Sequence, residues 1–244
     1  MFSRCSYALL FAGVAIFLTS CGSGGNEKTT TTDSTAAADS AAKAKAASTI
    51  VTTPQYMVVV THKVTDYAKW LAGYEGHDSA RQAAGLHNYV IGRGTDDSNM
   101  VMIALRVDDT TKAKAFENAP GLKEAMKKAG VVGTPMMSLS TATWQDTAKI
   151  DVTLRSRTSL TVKDWDTFAK AFADGKQERA DNGLIDRVVG HDLDDNKKAY
   201  IVYAIADTAK AFAYFKSDAL KKRREAGGVV GEPVRFIYRL VKMY

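Results

Sequence analysis

The feature that most constrains this 244-residue chain is a displacement of 98 residues that maps its middle onto its end. It carries Asp66 to Asp164, Arg81 to Arg179, Gly85 to Gly183 and Gly92 to Gly190. It also carries Asp96-Asp97 to Asp194-Asp195, Lys112-Ala113 to Lys210-Ala211, and the run Gly130-Val131-Val132-Gly133-x-Pro135 to Gly228-Val229-Val230-Gly231-x-Pro233. No gap interrupts this register, so the chain is a duplication whose two copies, over residues 55–146 and 150–244, must fold alike.

Each copy reads strand, helix, strand, strand, helix, strand. In the first, the β-branched run over 57–64 is of strand type and Thr65-Asp66 can cap the helix after it. Trp70, Leu71 and Tyr74 fall at helical spacing within 67–84, and Gly85 supplies a left-handed end. Strands over 86–93 and 100–107 flank Gly94 to Asn99, whose residues favour a hairpin turn. Asp109-Thr110 opens a second helix, interrupted near Pro120-Gly121, and a fourth strand covers 135–144. The second copy predicts strands over 152–162, 184–191, 198–206 and 232–241, with helices over 163–182 and 208–226. The order βαββαβ is a ferredoxin-like unit of the α+β class.

A four-stranded sheet with both helices on one face leaves its other face bare. Alternation turns Val58, Val60, Val64, Val101, Ile103 and Leu105 toward the helices. It leaves Met57, Val59, Met102 and Ala104 opposite, together with Tyr89, Ile91, Met137 and Leu139. That second face is too apolar for water. Two ferredoxin-like repeats packed sheet to sheet, as an intramolecular α+β barrel, would bury it at on the order of 25 cal/mol per Å². A barrel closed within one chain makes a monomer sufficient.

The copies differ most on this face. Met57, Val59, Tyr89, Met137 and Thr141 become Arg155, Arg157, Arg187, Arg235 and Arg239. The expected cavity has an apolar wall with Tyr89 and Met137 and a cationic wall with Arg155, Arg157, Arg187, Arg235 and Tyr200. Guanidinium groups hold carboxylate or phosphate through paired hydrogen bonds, so the expected ligand is a small, partly apolar anion. The plainer alternative puts several of these arginines at wet rims or in pairs with acids.

Composition bears mainly on the amino end. Arg4 precedes a short apolar run, Tyr7 to Leu18, too short to span a bilayer but suited to a signal-peptide core. Leu18-Thr19-Ser20-Cys21 resembles the bacterial lipobox. That resemblance implies a signal peptide over 1–20 and a lipidated, palmitate-bearing Cys21. From Gly22 to Pro54 there is almost no large apolar residue, so 21–54 reads as a disordered tether, with a reach of roughly 30 Å. The expected place is a bacterial cell envelope, on the outer or inner membrane, with the lipid as the membrane partner. Two cysteines exclude a disulfide-rich scaffold. With Cys21 acylated and Cys5 removed, no thiol remains. A net charge of +6, from 33 basic and 27 acidic residues, is too small a surplus to indicate a nucleic-acid partner.

The order βαββαβ in two facing copies, with the pattern His62-Lys63-Val64-x-Asp66-Tyr67-x-x-Trp70, then His77-x-x-x-Arg81-x-x-x-Gly85, Asp96-Asp97 and Ala129-Gly130-Val131, resembles the dimeric α+β barrel superfamily. The nearest resemblance is to antibiotic-biosynthesis-monooxygenase-like proteins, which usually build the barrel from two chains. It implies as an alternative function a cofactor-independent monooxygenase, with His62, His77, Trp70 and Tyr74 as candidate catalytic residues. His62 alternates with Val60 and Val64, which equally suits a hydrogen-bonded core histidine. No third ligand accompanies the two histidines, so neither metal nor other cofactor is expected. Asp66, Arg81 and their copies are expected to anchor helix ends, since residues shared by both copies serve the shared fold. A third reading is an interaction lipoprotein with no ligand.

Overall fold

The computed structural model describes residues 48–244, so the expected signal peptide, Cys21 and the tether up to residue 47 lie outside the described residues. The chain joins the sheet at β1 (Ile50–Val51), which pairs with Asp146 and Gln145. Two β-branched residues thus bring order into a segment whose composition suggests a tether through residue 54. Pro54, lacking an N–H, separates β1 from β2 (Gln55–Val64).

β3 (Leu86–Gly94), β4 (Met100–Val107) and β5 (Val131–Asp146) complete the first sheet in the order β5-β2-β4-β3. The second copy repeats it with β6 (Leu154–Val162), β7 (Leu184–Asp192), β8 (Lys198–Ile205) and β9 (Val229–Met243), in the order β9-β6-β8-β7. β3 pairs with β9 and β5 with β7, both antiparallel, so eight strands close into a ring. The last strand of each copy is thereby hydrogen-bonded to the second strand of the other. Gly92 and Gly190, related by the repeat, lie at these two joins. A Cβ on Gly190 would stand 2.1 Å from the Thr141 carbonyl oxygen, and one on Gly92 2.3 Å from the Tyr238 ring. Only glycine admits the crossing strand.

Each helix expected over 67–84, 163–182 and 208–226 is broken in two. The helices are α1 (Tyr67–Gly76), α2 (Asp78–Ala83), α3 (Thr110–Glu117), α4 (Pro120–Lys128), α5 (Trp165–Asp174), α6 (Lys176–Asp181), α7 (Thr208–Phe215) and α8 (Asp218–Ala226). Asp66 and Asp164 cap α1 and α5 by accepting from the Lys69 and Thr167 amides. Arg81 donates across the first break to the Tyr74 carbonyl at 2.6 Å, and Arg179 across its counterpart to the Phe172 carbonyl at 2.6 Å. These carbonyls belong to the last turn of α1 and α5, where each otherwise accepts only the cap amide of His77 or Gly175, at 3.2 Å. Both repeated arginines thus tie a broken helix together.

Three apolar clusters result. Val58, Val60, Ile103 and Leu105 meet Trp70 and Tyr74 of α1, and Leu160, Ile201 and Tyr203 meet Phe168 and Tyr214 in the second copy. The third cluster, Met57, Val59, Met102, Ala104, Ala142 and Tyr238, fills the ring. Ile91 departs from the alternation. The β3–β4 register slips between Asn88 and Val90, so Tyr89 and Val90 pack with the ring interior while Ile91 is fully buried under the helices. Leu139 and Met137 also lie on the helix side, because they stand opposite Val58 and Val60.

Candidate functional site

β2 and α1 frame the first cavity, of about 80 Å³, between the first sheet and its helices. Val60, Ile103, Leu105 and Phe116 make it apolar, and Trp70 and Tyr74 are stacked on one wall with ring centroids 5.1 Å apart. His62 faces into it, buried, with its ring 5.4 Å from Trp70. Among the described residues neither ring nitrogen has a hydrogen-bond partner, which corrects the expectation of a hydrogen-bonded core histidine. Burial strips the charged form of its water and pushes the imidazole pKa down to about 4. His62 is therefore neutral near pH 7, with an acceptor nitrogen aimed into apolar space. His77, exposed at the break between α1 and α2, lines the same cavity, as does Arg81 with its guanidinium 3.7 Å from the Tyr74 ring centroid. The four candidate catalytic residues are thus brought together.

The second cavity, of about 90 Å³, is the ring interior. Met57, Val59 and Met102 form its apolar wall; Arg155, Arg157 and Arg187 from β6 and β7 form the other, with Tyr89, Tyr200 and Tyr238 between them. Arg187 pairs with Asp146 at 3.4 Å and donates to the Ala148 carbonyl. Arg155 donates to the Val152 and Leu154 carbonyls and has no acid partner among the described residues. Arg157 donates to Ser159 Oγ at 2.7 Å and lies 4.8 Å over the Tyr200 ring, yet its Nε is buried without a partner. Desolvation lowers the pKa of both Arg155 and Arg157. Of the three guanidinium groups only Arg187 has a carboxylate partner, and an unpaired buried cation is costly.

Three arginine and methionine expectations need correction. Met137 and Arg235 are not in the interior, because their positions on β5 and β9 stand opposite helix-facing residues of β2 and β6. Met137 lines the first helix-side cavity and Arg235 its counterpart in the second copy. Arg239 is exposed outside. The interior residues that alternation missed are the small polar Ser138 and Ser140 on β5 and the aromatic Phe236 and Tyr238 on β9; the β2–β5 and β6–β9 registers are the signal that identifies them. The paired aspartates serve the turns: Asp97 binds Lys63 at 2.9 Å and Asp195 accepts from the Lys197 amide. Among the described residues no three His, Cys, Asp or Glu side chains are grouped to hold a metal, and no helix is long and apolar enough to cross a membrane.

Ring, repeat and cavities together define a tandem α+β barrel of ferredoxin-like halves. Solved structures share this fold. An anthrone oxidase-like protein superposes with a TM-score of 0.58 at 14% identity, over 80% of this chain and 95% of its own. A candidate monooxygenase of Fusobacterium nucleatum gives 0.51 at 13%, over 78% and 93%. A candidate chlorite dismutase gives 0.51 at 14%, over 78% and 96%. At these identities the likeness is one of fold. No protein-family profile matches the chain, and no curated protein sequence does.

Proposed function

We propose that this protein is a ligand-binding barrel, carried at a bacterial envelope by a lipid on Cys21, whose interior takes a small, partly apolar anion. The observation that supports this reading is Arg157: a buried guanidinium with a partnerless Nε, beside an Arg155 that also lacks an acid, facing a wall of Met57, Val59 and Met102. A carboxylate or phosphate would supply the missing acceptors while its apolar part met the opposite wall. Native mass spectrometry of the protein purified from its own membranes tests it. A bound species should be present in the wild type and lost in Arg155→Met with Arg157→Met, substitutions that make position 155 what position 57 already is. Retention unaffected by both changes sinks the reading. The anchor is tested separately by radiolabelled palmitate, whose incorporation should vanish in Cys21→Ala.

A second reading, a cofactor-independent monooxygenase-like activity, is favoured by the partnerless His62 in the first cavity and by the monooxygenase-like fold. A neutral imidazole there can accept a hydrogen bond from the hydroxyl of a phenol lying against Trp70. Oxygen uptake with a panel of phenols, abolished by His62→Ala, would support it, and no uptake with any phenol would dismiss it.

A further inference from the structure

The first helix-side cavity has a positional counterpart, because the displacement of 98 residues carries one lining onto the other. The shape is shared and the chemistry is not. Trp70 becomes Phe168, Tyr74 becomes Phe172, and His62 becomes Leu160, so the second cavity has no imidazole. Met126 and Met137 become Arg224 and Arg235, Val60 becomes Thr158, and Phe116 becomes Tyr214. With Leu105 becoming Tyr203 and Ala125 becoming Arg223, apolar groups at six places are replaced by hydrogen-bond donors around one space of about 40 Å³.

Of those donors, Arg235 and Arg224 are underused. Arg235 gives its Nε to Thr158 Oγ1 at 3.3 Å and lies 3.7 Å over the Phe215 ring, but no carboxylate among the described residues pairs with it. Arg224 likewise has no ion pair among the described residues; Glu232 acts on it only through space. Burial, and then the neighbouring Glu178 through a hydrogen bond and its charge, raise the pKa of the Tyr214 hydroxyl, so this donor is directed at Glu178. The acids nearby are engaged: Glu178 by Arg223, with Nε at 2.7 Å, and Asp186 by Arg179 at 2.7 and 2.6 Å. Desolvation, and then the neighbouring Arg224, push Arg235 down to about 10. Two half-buried cations close enough to lower one another's pKa repel, and an anion between them relieves that repulsion.

We propose that the cavity between the second sheet and its helices is a separate anion site, in which Arg224 and Arg235 hold the carboxylate of a small aromatic acid whose ring packs against Phe168 and Phe172. Apart from Arg179 and Arg223, which Asp186 and Glu178 engage, the rest of the lining is mainly apolar, with Leu160, Ile201, Phe215 and Leu220, which favours a ligand that carries an apolar group beside its charge. The planar guanidinium fork matches a carboxylate.

Calorimetric titration of the full chain in detergent with benzoate, and with benzyl alcohol as the uncharged isostere, tests this site apart from the ring interior. Arg224→Met with Arg235→Met should weaken benzoate by about tenfold or more, the loss of charge-assisted hydrogen bonds. These substitutions install the residues the first copy uses at the same places. Arg155→Met with Arg157→Met should leave that affinity within about twofold, or remove only a second, independent equivalent of binding. Benzoate lost in the interior variant alone, benzyl alcohol bound as tightly as benzoate, or no benzoate binding at millimolar concentration each overturns the site. Should the Arg224, Arg235 variant not fold, the wild type still decides: benzoate must shift the Arg235 Nε–H resonance in an NMR titration, and an unmoved resonance refutes the proposal.

Discussion

His62→Leu is the sharpest perturbation of the first cavity, because Leu160 already occupies the repeated position in the second copy. His62 is 4% exposed, both its ring nitrogens lack partners, and its pKa is down to about 4 from 6.5. A depressed histidine pKa means that the unfolded chain takes up a proton that the folded chain refuses. As pH falls through 6.5 the unfolded state is therefore favoured, and stability is lost progressively until about pH 4, where the folded form also protonates. Each pH unit in that window is worth about 1.4 kcal/mol, so at pH 5 the wild type should have lost about 2 kcal/mol through this residue alone. His62→Leu removes that loss and relieves two unsatisfied nitrogens, so the variant should be more stable at pH 7.5 and increasingly so toward pH 5. Urea unfolding of both proteins at pH 7.5, 6.0 and 5.0 measures the gap as a difference in midpoints at constant slope. A gap that does not widen as pH falls would show that His62 is not buried and neutral, and the second reading of function would lose its hydrogen-bond acceptor with it.

Arg157→Met should leave the ligand-free protein equally or more stable, raising the melting temperature by a few degrees, since it removes a buried cation without an acid; a fall of more than about 5 °C in differential scanning fluorimetry would mean that the guanidinium is already satisfied. Gly190→Ala should cost about 1–3 kcal/mol by forcing β5 from β7. The control Gly76→Ala has open space around its Cβ and should be neutral or stabilising, so equal effects in chemical denaturation would contradict the tight join. Arg179→Met should destabilise by about 3–5 kcal/mol in the same assay, because it strands the buried carboxylate of Asp186; a cost under 1 kcal/mol would show the pair to be superfluous.

The repeat made the topology legible. A βαββαβ order written twice leaves two bare apolar faces, and the ring that covers them contains eight strands in the expected sequence. Cross-strand register was not legible, and it decides which residues meet. Within one strand alternation holds, but a bulge reverses it, as between Asn88 and Val90, and a strand's alternation says nothing of its phase relative to its neighbours. Apolar bulk therefore misled at β5. Met137 and Leu139 suggest an interior face, yet their partners Val60 and Val58 place them beneath the helices, leaving Ser138 and Ser140 inside. The same phase moves Arg235 out of the ring and into the second helix-side cavity. The helix breaks at His77 and Gly175 were equally hidden, because no proline marks them; the cue was the repeated arginine four residues on.

The arrangement of charge depends on the fusion itself. In a barrel of two identical chains every interior residue appears twice across the twofold axis, so a second-strand or first-strand arginine would bring its own copy into the same cavity. Joining the copies in one chain removes that constraint: position 57 can remain methionine while position 155 becomes arginine, and one cavity acquires a wall for an apolar group and a wall for an anion. The same freedom acts on the helix-side cavities, where the first copy keeps Met126, Met137 and a neutral His62 while the second takes Arg224, Arg235 and Leu160. If this divergence of chemistry is the reason the duplication persists, restoring symmetry should cost ligand selectivity before it costs the fold. Replacing Arg155, Arg157, Arg224 and Arg235 together by their first-copy residues, Met, Val, Met and Met, should yield a folded barrel with unchanged far-ultraviolet circular dichroism that no longer distinguishes benzoate from benzyl alcohol. A symmetrised chain that still prefers the anion would place the basis of selectivity outside these four arginines.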